Sequence, residues 1–123
     1  MLFITSRTPL KKSPKSKQNR KLEFDLQNTD VSRYAYFCRR DGANDYTEIM
    51  AENLFAELKG LPDTTQLLFY IHGFNNLPEK DVFPRAERLE SRINEAAGEQ
   101  LVKVIPIIWP CDDDHPLAFA DDY

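Results

Sequence analysis

Residues 72–76, His-Gly-Phe-Asn-Asn, place an imidazole, a glycine and two carboxamides directly after an apolar run, Leu67-Leu68-Phe69-Tyr70-Ile71. An imidazole there can brace a turn, and a sharp, polar-tipped loop delivered by a buried strand is the kind that carries function in α/β folds. Gly73 allows close approach of backbone to a bound group, while Asn75 and Asn76 bond local backbone or accept left-handed geometry. The plainer role for His72 is that of a hydrogen-bonded turn residue.

Other reactive side chains are less well organised. Asp112-Asp113-Asp114-His115, with Asp121 and Asp122 nearby, offers hard and borderline metal ligands. Consecutive aspartates point in different directions and match no metal-loop spacing, so a solvated acidic loop is the favoured reading and no metal site is expected. Cys38 and Cys111 lie far apart without a Cys-x-x-Cys spacing. They define no disulfide framework, Cys38 reads as packing within a strand, and no base can be assigned to Cys111 as a nucleophile.

The elements that position these residues alternate between strand and helix. Residues 2–6 and 32–39 read as strands, rich in β-branched and aromatic side chains. Ile49, Met50, Leu54 and Leu58 share one face of a helix over 45–59, which Gly60 and Pro62 stop. A strand over 66–71 follows. Asp81 can cap a helix running to Ala97, with Pro84 tolerated in its first turn, a buried stripe of Phe83, Ala86, Leu89, Ile93 and Ala97, and Gly98 as its end. Residues 101–109 form the last strand, in which Pro106 removes one ladder donor and suggests a bulge or an edge. Strand, crossover helix and strand over 66–109 imply parallel pairing, and the loops after both strands then fall at the carboxyl ends where α/β sheets bind ligands.

The strand ending in His72-Gly73-Phe74-Asn75-Asn76, the helix after it and the strand ending in Trp109-Pro110 resemble the α/β-hydrolase superfamily. The resemblance is to a bacterial subgroup of uncharacterised hydrolases carrying His-Gly-Phe-Asn after the third strand. It covers about residues 66–110 and, more weakly, the opening Leu2-Phe3-Ile4-Thr5-Ser6-Arg7. It implies an α/β fold with a mostly parallel sheet and crossover helices, an incomplete hydrolase-like core. It also implies that the Phe74 amide is one oxyanion donor, with Gly73 admitting the substrate, His72 bracing the turn and Asn75 beside them.

The nucleophile that such a donor would serve is not in the sequence. Ser6, Ser13, Ser16, Ser32 and Ser91 lie in no Gly-x-Ser-x-Gly elbow, and the only four glycines are Gly42, Gly60, Gly73 and Gly98. The expectation is therefore a single N-terminal portion of an α/β-hydrolase-like domain over 1–123, esterase- or lipase-like in its full-length relative and inactive alone. A different class remains open: a small α/β binding or scaffolding module acting by association.

Composition, 41% hydrophobic and 29% charged, is that of a folded domain. No apolar window has membrane-spanning length and no signal-peptide core follows Met1, so neither a membrane partner nor a location other than the cytoplasm is expected. Arg7, Lys11, Lys12, Lys15, Lys17, Arg20 and Lys21 crowd the first 21 residues without an acid, although the whole chain carries a formal net charge of −4. That pattern reads as a basic mobile loop over about 8–21. It lacks interleaved aromatics, so no nucleic-acid partner is expected. The expected partners are a small ester-like substrate in the full-length relative and, through an exposed edge of the sheet, a second copy of the chain. No cofactor is called for.

Overall fold

The computed structural model describes residues 1–10 and 17–111. The strands are β1 (Leu2–Arg7), β2 (Arg20–Leu22), β3 (Val31–Gly42), β4 (Asp45–Glu48), β5 (Gln66–Ile71) and β6 (Val102–Ile108), and the α-helices are α1 (Ala51–Lys59) and α2 (Phe83–Ala97). They form one six-stranded sheet of order β2-β4-β3-β1-β6-β5. The fold is α/β, and its sheet is mixed rather than mostly parallel. β1, β6 and β5 are parallel neighbours, whereas β1–β3, β3–β4 and β4–β2 are antiparallel.

The antiparallel half arises from local turns. Asp41-Gly42-Ala43-Asn44, with Asn44 at φ 59°, reverses the chain between β3 and β4. The helix expected over 45–59 is thereby shortened: residues 45–48 alternate in burial as a strand, with Tyr46 and Glu48 inward. Met50, at φ 75°, then separates that strand from α1. The basic segment also acquires structure at both ends. Pro9 forms a β-bridge with Phe24, and Arg20 pairs with Glu48 across β2 and β4, its Nε 2.7 Å from a fully buried carboxylate. The intervening residues 11–16, with Lys11, Lys12 and Lys15, lie outside the described residues.

Helices cover opposite faces of the sheet, as the alternation of strand side chains requires. Leu2, Ile49 and Leu54 pack on the α1 face, joined by Ile4, Phe37 and Leu58. Phe3, Tyr46 and Phe83 meet edge-on or tilted on the α2 face. There Ala86, Leu89 and Ile93 of α2 lie against Val102, Val104, Leu68 and Tyr70. Ala97 of the expected stripe is exposed. Asp81 does not cap α2. It lies in a π-helical turn, Pro78–Val82, and its Oδ2 accepts the Leu77 amide at 2.9 Å. Gly98, at φ 70°, ends the helix as expected.

The expected edge is displaced by one strand. β6 lies between β1 and β5, and β5 is the outer strand. Pro106 fits inside the sheet because β1 pairs with β6 at Ile107 and Ile108. Earlier along that side of β6, the Val102 and Val104 amides go to Asn94 Oδ1 and Glu90 Oε1 of α2, at 2.9 and 2.8 Å. Pro106 continues the same alternation, so its missing N–H interrupts no bond to β5. On the α1 face of β5, Leu67, Phe69 and Ile71 are exposed, with Phe55 of α1 exposed nearby.

Candidate functional site

β5 and β6 run in parallel register from Gln66↔Val102 to Ile71↔Ile107, so the segments after them, 72–76 and 109–111, emerge side by side. His72 is only 4% exposed and binds both segments. Its Nε2 accepts the Trp109 amide at 3.1 Å, and because that amide can only donate, the ring proton belongs on Nδ1, which donates to the Gly73 carbonyl at 2.8 Å. The Trp109 indole stacks on the imidazole with centroids 5.0 Å apart and returns a bond from Nε1 to the His72 carbonyl at 2.9 Å. Burial removes hydration from the imidazolium, and the Trp109 amide occupies the position a second proton would need. That burial, helped by the charge of the Arg7 guanidinium, outweighs the bond to the Gly73 carbonyl and holds His72 below its ordinary pKa.

The rest of the loop is held as firmly. Asn75 adopts φ 57°, which an asparagine accepts at modest cost. The Asn76 amide donates to the Phe74 carbonyl at 2.5 Å, and its Oδ1 accepts Arg85 Nη1 at 2.5 Å, tying the loop to α2. The Phe74 ring is 55% exposed and meets Trp109 edge-on at 5.4 Å. Gly73 is not at positive φ, and a Cβ there would meet only Asn76 Nδ2, at 3.7 Å. The backbone conformation by itself therefore does not demand glycine at this position.

Two further residues join the two segments and two more, from β1, hold the end of β6; none was a site residue expected from the sequence. Trp109 supplies the stacking surface. Cys111 is buried, and its thiol donates to the Asn76 carbonyl at 2.9 Å. Arg7, 1% exposed at the end of β1, donates from its guanidinium to the Cys111 carbonyl. Thr5 Oγ1 fixes the end of β6 through the Ile108 carbonyl at 2.8 Å. The available signal was an arginine closing a short strand that opens on three apolar residues, and a tryptophan following another. The other thiol, Cys38, lies in the core, where burial and then the Glu48 carboxylate push its pKa far up.

His72, Gly73, Phe74 and Asn75 are thus brought to one loop at the carboxyl ends of parallel strands. Both nitrogens of His72 are engaged, which suits a brace and not a proton-transfer base. The acidic run 112–114, His115, Asp121 and Asp122 lie outside the described residues. Among the described residues no group of three His, Cys, Asp or Glu side chains could hold a metal ion. No helix there is long and apolar enough to cross a membrane.

The chain matches no family model, no curated protein and no solved structure.

Proposed function

We propose that this chain is the N-terminal portion of an α/β-fold serine hydrolase, esterase- or lipase-like, in which the 72–76 loop supplies one half of an oxyanion hole through the Phe74 backbone amide. The carrying observation is the position of that loop at the carboxyl end of β5, locked to the end of the parallel neighbour β6 by a neutral, doubly bonded histidine. A donor site of this kind acts by preorganisation: its dipoles must be aimed before charge develops. The outer side of β5 is where a further strand, bearing the nucleophile, would add. Acyl transfer to water would need that serine and its acid and base partners, so the chain alone is expected to be inactive. The proposed substrate is a small molecule with an ester-type carbonyl, and the proposed setting is the cytoplasm.

The test is hydrolysis of a chromogenic short-chain ester by the purified chain, before and after a serine-directed fluorophosphonate. Neither turnover nor labelling is expected. Adding the downstream coding sequence should introduce a Gly-x-Ser-x-Gly elbow and, with it, turnover. Robust hydrolysis by the chain itself that survives the probe and disappears in Cys111→Ser would overturn the assignment.

The exposed apolar face of β5 favours a second reading, a binding module that associates through this strand. Its outer edge carries no charged residue, proline or bulge over Gln66–Ile71 to deter pairing.

A further inference from the structure

On the α2 face a pocket of about 480 Å³ opens between two walls. Leu10, Phe24 and Leu26 form one wall, Leu77 and Pro78 the other, and buried Tyr46 lies between them. Its volume falls within the range of about 300–1,000 Å³ typical of sites for small organic molecules.

Both walls are fixed in place. The Leu10 amide donates to the Glu23 carbonyl at 2.7 Å beside the Pro9–Phe24 bridge. Leu26 sits in a turn in which the Gln27 and Asn28 amides bond Asp25. These bonds hold two leucines, each 38% exposed, where they contribute little to the core. A leucine in a tight turn has no conformational reason to be there, and with Phe24 and Pro78 these side chains give the pocket an apolar lining. Opposite, Glu79 is tied to Arg40 at 2.7 Å and accepts the Tyr46 hydroxyl at 2.5 Å, which immobilises the π-helical turn.

Charge decides what kind of ligand fits. The Glu79 carboxylate is already neutralised by Arg40 and saturated by Tyr46 and the Asn44 backbone, so it offers no unspent charge to a guest. Glu23 and Lys80, of opposite sign and both exposed, stand on the rim. An ionic ligand would lose hydration without gaining a counter-charge at the base of the pocket. We propose that this pocket binds an uncharged, largely apolar small molecule, aromatic or short-chain alkyl, with its apolar body between Leu26 and Pro78. None of residues 72–76 lines the pocket, although Leu77 follows that loop directly, and occupancy does not require hydrolase chemistry.

The test uses the neutral fluorophore N-phenyl-1-naphthylamine with the purified chain. Saturable fluorescence enhancement is expected, weakened about tenfold or more by Leu26→Arg, a loss of about 1.4 kcal/mol. Phe69→Lys, on the exposed β5 face, should leave affinity unchanged, and the anionic 8-anilinonaphthalene-1-sulfonate should bind more weakly than the neutral probe. Leu26→Arg lies on an exposed turn, and Leu10→Gln serves as a second variant should the first lower the thermal midpoint. Absence of saturable binding, loss with Phe69→Lys but with neither leucine variant, or tighter binding of the anionic probe would overturn the proposal.

Discussion

Replacing His72 with alanine tests whether the imidazole is a neutral brace. The change removes the acceptor of the Trp109 amide and the stacked ring 5.0 Å from the indole. An orphaned amide costs about 1–3 kcal/mol and a lost aromatic pair about 0.5–1.5 kcal/mol. Trp109 is half-buried, so water compensates part of the first loss. The net expectation is about 2 kcal/mol, or a fall of about 10 °C in thermal midpoint for a domain of this size. The pH dependence is more diagnostic. His72 has a lowered pKa when folded, so below the ordinary histidine value the unfolded chain binds the proton more readily. Stability is full above about pH 6.5 and declines as pH falls below it, with a slope of at most about 1.4 kcal/mol per pH unit for one proton. Urea denaturation of the wild type between pH 7.5 and 5.5 should show this decline, and His72→Ala should flatten it. The chain has two histidines, so His115→Asn is the control and should retain the decline. Equal pH dependence in wild type and His72→Ala, or a stability loss under about 0.5 kcal/mol, would refute the brace.

Gly73→Ala should change stability by less than about 0.5 kcal/mol in chemical denaturation, because its Cβ meets nothing closer than 3.7 Å. In a complete hydrolase the same substitution should reduce ester turnover if substrate backs onto this residue, and thereby separate a functional glycine from a conformational one. Glu79→Ala leaves Arg40 with only Glu87 as an acidic partner and strands the Tyr46 hydroxyl, and should cost about 2 kcal/mol, partly recovered by adding Arg40→Met, as a double-mutant cycle in urea would read. Burial opposes ionisation of Glu79, but its bonds from Arg40, Tyr46 and the Asn44 backbone hold its pKa below the usual carboxylate value. Its contribution is therefore complete above about pH 4.5 and lost as pH falls further, visible as a steeper acid limb in the wild type than in Glu79→Gln. Phe69→Lys should leave the thermal midpoint within about 2 °C while suppressing any concentration-dependent association in analytical ultracentrifugation.

The parallel half of the fold was legible because β5, α2 and β6 are each long enough to show their period, with Gly98 at the helix end. The antiparallel half was obscured by brevity. β2 has three residues and β4 has four, too few to alternate convincingly, and Ile49, Leu54 and Leu58 extended the helical pattern backward across Asp45–Glu48. The Asp41-Gly42 and Asn44 turn was the signal that separated them. Pro106 was misleading because the backbone donors on its side of β6 are met by helix side chains, which no strand pattern reveals. In the candidate site, the loop and His72 could be found from sequence. Its dependence on Arg7 and Cys111 could not, because those contacts join residues 104 and 35 positions apart.

The polar docking of α2 on β6 bears on how this domain can fail. Asn94 accepts the Leu101 and Val102 amides, both at 2.9 Å, and donates to the Val102 carbonyl at 3.1 Å, while Glu90 takes Val104 one turn away. A purely greasy contact would let the helix slide by a turn and still find apolar surface. This one works as a ratchet tooth: a one-turn slip would leave several peptide groups unserved at once, so misplaced α2 is penalised in whole steps and the loop it carries through Arg85 has a single seat.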